Sequence, residues 1–226
     1  TDELRQLDSV DGRLEKLQIS GLDIKDDSTF IAATPHSILH IAFSNTDYMR
    51  ADINVKEMSF DNSLYNSFIK NRITKLYIDQ KNGVIWLSTF GKGLVKANMQ
   101  DKDIHQIALR SEIKDINGLA QDVQGYIWLS TDRNGLWKST SNQISANLEF
   151  KLWELSADNQ HYCLHKGLNG DLWIGDENGI IRQLNPLTNK VTSLEPKYDG
   201  ITSIGKIEKI YHCIHNRLWL VTNKGL

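Results

Sequence analysis

One phrase recurs four times in this chain: GVIWLSTFGKGL at 83–94, GYIWLSTDRNGL at 125–136, GDLWIGDENGI at 170–180 and NRLWLVTNKGL at 216–226. Aligned on tryptophan, the copies place Trp86, Trp128, Trp173 and Trp219 at spacings of 42, 45 and 46 residues. That period belongs to a unit of several strands repeated around a propeller, and it restricts the fold more than any other property of the sequence.

Within each copy the pattern is that of strands. An apolar segment such as ITKLYID (73–79) or INGLAQD (116–122) is rich in strand formers and too short for a typical helix. Asn82-Gly83, Gln124-Gly125 and Asn169-Gly170 follow as turn signals, with Asn216-Arg217 in the fourth copy. The tryptophan-bearing second strand then runs to a second glycine turn at Gly93, Gly135, Gly179 or Gly225, and LVKAN, LWKST and IIRQL read as third strands. Mixed segments, HQIAL (105–109), FKLWEL (150–155) and VTSLE (191–195), fit a fourth, outer strand. Each repeat is thus a four-stranded antiparallel meander, and no helical periodicity competes with it. The fold expected is all-β: propeller blades in about five units, forming an incomplete propeller.

A lone meander has apolar residues on both faces, so each blade needs a neighbour. The tryptophan of each second strand is expected to pack into the adjoining repeat, where truncation to alanine would cost about 3–5 kcal/mol. A degenerate earlier copy spans 22–45, with Ile31 in the place of Trp86 and Thr34 in that of Thr89; the long gap to the next copy implies a longer outer strand or surface loop within 47–67. The units expected are a partial outer strand in 1–21, then 22–68, 69–111, 112–156, 157–203 and a shortened 204–226. An open arc of blades leaves a sheet face and strand edges uncovered, from which self-association is expected.

Composition removes several classes of function. Net charge is −2 with interspersed signs and no long run of one sign, which disfavours nucleic acid and anionic membranes as partners. No apolar run approaches the roughly 18 residues of a spanning helix, so any membrane attachment would lie in segments outside these residues. The start, TDELRQLDSV, has neither a methionine nor the pattern of a signal peptide, which reads as a mature or excised piece of a longer protein. Cys163 and Cys213 are too few for a disulfide framework.

Residues 73–98, ITKLYIDQKNGVIWLSTFGKGLVKAN, resemble the repeat of the two-component regulator propellers: an apolar strand, Asp, a glycine turn, aliphatic-Trp-aliphatic, a small residue, Thr, then Gly-Leu. Residues 116–138 match equally well; the third copy has Gly167 at the Asp position and Asp176 at the Thr position, and the fourth has Cys213 at the Asp position. The resemblance covers about residues 22–226. It implies a non-enzymatic, periplasmic sensory module of a signal-transduction receptor, detecting carbohydrate-type ligands such as oligosaccharides and driving a histidine kinase or diguanylate cyclase outside this chain. A polysaccharide-active propeller enzyme, glycosidase or lyase, and a protein-binding scaffold are the alternatives.

Three sets of residues carry candidate chemistry. HYCLH (161–165) and YHCIH (211–215) supply His161, Cys163, His165, His212, Cys213 and His215; alternation would put His161, Cys163 and His165 on one side of a strand. Their spacing matches no standard zinc pattern, so packed, hydrogen-bonded histidines are expected, with no metal or other cofactor. Asp79 and Asp122 stand just before glycine turns, a position that suits a carboxylate accepting turn N–H groups better than a catalytic one. Sialidase-type propellers carry a similar D-x-G-x-x-W turn, but both spacings here are longer, and nothing marks the facing carboxylate pair that a glycosidase needs. Binding is better sought on loops. The turns between second and third strands share a face with the crossovers between blades, and their variable residues Lys92, Arg133, Asn134, Glu177, Asn178 and Lys224 are the candidate ligand contacts.

Overall fold

The computed structural model describes residues 18–47, 51–60, 63–132, 134–143, 145, 147–153, 161–195, 204–212 and 217–225, without the side chains of Ser63, His161 and Tyr162. The chain is all-β, built of four-stranded antiparallel sheets, and divides into two compact units, residues 1–105 and 106–226.

In the first unit, β1 (Gly21–Asp26), β2 (Thr29–Ala33), β3 (Ile38–Phe43) and β4 (Ile53–Glu57) form one meander in sequence order. A second follows as β5 (Ile73–Asp79), β6 (Val84–Thr89), β7 (Gly93–Asn98) and β8 (Ile104–Ile107), whose last residues cross the division between the units. Pairing sorts the side chains of the first sheet onto two faces. Ile31, Ala33 and Ile38 share a core with Leu76, Ile85 and Leu87 of the second sheet, while Phe30, Ala32, Leu39 and Ile41 lie on the opposite face. At Gly21 strand β1 passes so close to β5 that a Cβ would stand 2.7 Å from the Leu76 backbone nitrogen.

Between the two sheets the chain departs from expectation. The stretch expected as outer strand or loop contains both β4 and a short helix, α1 (Ser63–Ile69). Seven residues are about two turns, too few to show a period or to hold as an isolated helix. Packing holds it: Tyr65 and Phe68 are buried in the same core as Ile31 and Ile85, Tyr65 stacks against Phe60 at 5.1 Å, and its hydroxyl donates to the Met58 carbonyl at 3.0 Å.

In the second unit, β9 (Ile116–Gln121), β10 (Ile127–Thr131), β11 (Leu136–Ser139) and β12 (Phe150–Trp153) make one meander, and β13 (His161–Lys166), β14 (Leu172–Asp176), β15 (Ile181–Asn185) and β16 (Lys190–Leu194) the next. A two-stranded sheet, β17 (Ile207–His212) with β18 (Leu218–Thr222), follows. Trp128 packs on Leu164, Leu172, Ile174 and Leu184 of the succeeding sheet, and Trp173 on Ile207, Ile210, Leu218 and Leu220 of the one after. The tryptophans therefore are inter-sheet core in these copies, and Trp86 is fully buried as well. Trp219 differs, being half exposed.

Behind Trp128 lies a closed electrostatic arrangement. The Lys138 ammonium sits 4.3, 4.9 and 5.5 Å from the ring centres of Tyr126, Trp128 and Trp153, and 3.8 Å from Asp122 Oδ2. Ring quadrupoles attract the cation while the carboxylate balances its charge.

Candidate functional site

The turns between second and third strands are built by one device used repeatedly. The threonine ending the second strand folds back on its own turn: Thr131 Oγ1 donates to the Gly135 carbonyl at 3.0 Å and accepts the Asn134 N–H at 3.1 Å. Thr222 repeats this on Gly225 and Lys224, and Thr34 does so on Ser37 and His36. Gly135 closes the turn at φ 81°, a left-handed conformation that disfavours a side chain. Where Asp176 replaces threonine, its Oδ1 accepts the N–H groups of Asn178 and Ile180, both at 2.9 Å, and its Oδ2 takes Arg182 at 2.7 Å. The same turn is thus closed by a buried ion pair instead of a hydroxyl.

Four of these turns are also tied to the chain entering a first strand, as expected if turns and crossovers share a face. Phe90 N–H donates to the Arg72 carbonyl, Asp132 N–H to that of Asp115 and Asn223 N–H to that of Lys206. His36 Nδ1 lies 2.9 Å from the Ile69 carbonyl, and Ile73 N–H donates to that of Pro35.

The candidate contacts stand on these turns with unequal freedom. Lys92 and Lys224 are exposed at their tips, Asn178 is exposed and Glu177 half-buried, while Arg133 lies outside the described residues. Asn134 is exposed, but its amide donates to the Glu112 carbonyl at 2.6 Å and its own carbonyl accepts the Trp137 indole N–H. Its side chain is therefore part of the scaffold. Glu112 beside it is held below the ordinary carboxylate range by its own backbone N–H and by the Arg110 guanidinium.

A feature absent from the sequence reading adjoins the turns. At the start of every first strand of the four tryptophan copies the register slips by one residue: between Ile73 and Lys75, Ile116 and Gly118, His161 and Cys163, and Ile207 and Lys209. The residue inside the bulge, Thr74, Asn117 or Glu208, is turned relative to simple alternation. Thr74 Oγ1 meets Ser88 Oγ at 2.9 Å, and Asn117 reaches Asp132 of the neighbouring turn at 3.4 Å. Thr74 and Asn117, different residues at the same place in two copies, are thus variable positions beside the turn face. A glycine, Gly118, adjoins the second bulge alone, so no residue common to the copies marks them and the sequence did not show them.

The same bulge corrects the expectation for the histidines. His161 and Cys163 pair with consecutive residues of β14, Asp176 and Gly175, so alternation does not run from one to the other. Cys163 is buried among Trp173, Ile181 and Ile207. His165 Nε2 accepts the His212 N–H at 3.2 Å, and His212 Nδ1 accepts the Leu168 N–H at 3.3 Å while its ring stands edge-on to Trp173. Both rings accept from backbone N–H groups. Among the described residues no three His, Cys, Asp or Glu side chains form a group able to hold a metal; Cys213 and His215 lie outside them.

The turn aspartates are structural. Asp122 Oδ1 accepts the N–H groups of Gln124 and Tyr126, both at 2.9 Å, and Oδ2 accepts the Trp128 indole N–H at 2.8 Å. Asp79, with one more residue in its turn, instead accepts the backbone and side-chain N–H groups of Asn82. The buried Trp86 indole N–H is left without a protein partner, as is that of Trp173, where Gly167 replaces the aspartate.

No family model matches the chain, and no curated protein does. Solved structures do. The chain superimposes over 98% of its length, at TM-score 0.62 and 16% identity, on an extracellular domain from B. thetaiotaomicron named for a one-component system. It spans only 31% of that domain. It also superimposes over 92% of its length, at TM-score 0.64 and 13% identity, on virginiamycin B lyase from Staphylococcus aureus, of which it covers 68%. These likenesses define the fold as that of β-propeller blades. No helix among the described residues is long and apolar enough to cross a membrane.

Proposed function

We propose that this chain is part of the ligand-sensing ectodomain of a periplasmic signal-transduction receptor, recognising carbohydrate-type ligands and passing the signal to a kinase or cyclase outside these residues. The observation that carries the reading is the superposition of nearly the whole chain on the extracellular domain of a bacterial signalling system. The repeat pattern and a rigid scaffold presenting polar turns of mixed charge support it. Binding would act by favouring one arrangement of the receptor over another. Lys92, Arg133, Glu177, Asn178 and Lys224 are the contacts proposed, with Asn134 holding its turn in shape.

A second reading, a propeller lyase, draws support from the superposition on virginiamycin B lyase. Against it stand the two turn aspartates, whose carboxylates are both engaged by their own turns. A thermal-shift screen against neutral and acidic oligosaccharides, with chromatography of each sugar after incubation, separates the two. The sensor reading expects a raised Tm with an intact sugar and loss of that shift in Lys92→Ala or Asn178→Ala. Cleavage of the sugar, or a shift indifferent to every turn substitution, overturns it.

A further inference from the structure

The turn tips differ in the residue that follows the closing threonine. Two copies use its side chain within the scaffold: Asn223 Oδ1 accepts the Lys206 N–H at 2.9 Å, and Asp132 Oδ1 accepts the Asn117 amide at 3.4 Å. The second sheet carries Phe90 there, which can make neither bond and stands 59% exposed. Among the described residues it is the only large hydrophobic side chain exposed at the tip of such a turn. Gly91 follows at φ 81°, and a Cβ placed on it would meet no described atom within 4 Å, so the approach beside the ring is open.

Positive charge gathers at the same tip. The Phe90 N–H donates to the Arg72 carbonyl at 2.9 Å, which sets the ring beside the segment joining α1 to β5. Lys70 and Arg72 of that segment are exposed, as is Lys92 of the turn. Between residues 63 and 98 the only acidic residue is Asp79, at the far end of β5. The turn of the preceding sheet, 34–37, is bonded to the same segment through Pro35 and His36 and adds no acid. In a chain of net charge −2, this end of the second sheet therefore concentrates cations around one exposed aromatic ring.

We propose that Phe90, Arg72 and Lys92 form a subsite for a sugar ring bearing a carboxylate, a uronate residue of an oligosaccharide. The aromatic face takes the apolar face of the sugar, and the cations take its carboxylate, which a guanidinium can hold by two parallel hydrogen bonds. One exposed ring is too little surface for a protein partner, which needs about 800 Å² on each side. The proposal rests on the sensing reading above and narrows its ligand to an acidic sugar.

Isothermal titration calorimetry of the 226-residue chain with oligogalacturonate and oligomannuronate, each also as its methyl ester, tests it. At least one acid is expected to bind about tenfold or more tightly than its ester, and to bind more weakly as salt is added. Phe90→Ala and Arg72→Gln are each expected to weaken that binding about tenfold or more, and Phe90→Trp to keep it. Both positions are exposed, and circular dichroism with a thermal melt checks that the variants fold. Citrate, a carboxylate without a ring, is expected not to displace the sugar. Equal affinity for acid and ester, binding unchanged in Phe90→Ala or Arg72→Gln, or displacement by citrate overturns the subsite and leaves a sugar sensor standing. Binding of neither acid also overturns it, and the sensing reading falls with it only if neutral oligosaccharides fail to bind as well.

Discussion

At the scale of single residues, the repeated phrase is a set of hydrogen-bonding instructions that tolerate substitution only where another group does the same work. Asp122 shows the device complete: one carboxylate satisfies two turn N–H groups and the buried indole N–H of Trp128. Replacing it with alanine strands these donors, and Asp122→Ala is expected to lose about 1–3 kcal/mol for each one left buried and unsatisfied. Asp79→Ala is expected to lose less, because the Trp86 indole N–H does not bond that carboxylate. Chemical denaturation of both variants measures the difference. The role of the aspartates in their turns was legible from their place before glycine; the bond from Asp122 to Trp128 was not, because one residue more or less in the turn decides whether carboxylate and indole meet. Likewise Asp176 looked like a defect in the threonine pattern, and only the Arg182 side chain folded beside it shows an alternative closure.

At the scale of elements, the strands were legible because alternation and glycine turns are local signals, and β5 and β6 run over the residues their patterns marked, 73–79 and 84–89. Helix α1 was not, since its existence depends on a core formed by residues far apart in sequence. Its docking carries a pH signature. Burial, with a smaller contribution from Glu57, raises the Tyr65 phenol from its usual value to about 12. Above a pH of about 10 the unfolded chain releases this proton while the folded one keeps it, so stability is full below that pH and falls as pH rises toward 12. Tyr65→Phe is expected to flatten the alkaline limb of a stability-against-pH curve while costing the bond to Met58. Equal alkaline slopes in the two proteins would place the titration elsewhere. The bulges at the heads of the first strands are the element-scale feature that pattern reading missed. They change register without changing composition, and they bring the side chains of Thr74 and Asn117 beside the second strand and its turn.

At the scale of the whole molecule, the period in tryptophan made the architecture legible, whereas the candidate site is spread over turn tips whose neighbours no local pattern specifies. Among the variable tip residues, Lys92, Asn178 and Lys224 face solvent, whereas Asn134 is bonded into the scaffold of its turn. A test of the assembled state lies in the lysine held among Tyr126, Trp128 and Trp153. Its ammonium lies against three rings from β10, β12 and the turn before β10, and its side chain is only 16% exposed, so an amine-acylating reagent reaches it less readily than a lysine in open solvent. In timed acetylation read by peptide mass, Lys138 is expected to react far more slowly than exposed Lys92 or Lys224, and to catch up with them across the unfolding transition. Lys138 thus serves as an internal chemical clock: its rate of acetylation, set against that of the lysines at the turn tips, reports how often the blade breathes, with no label added.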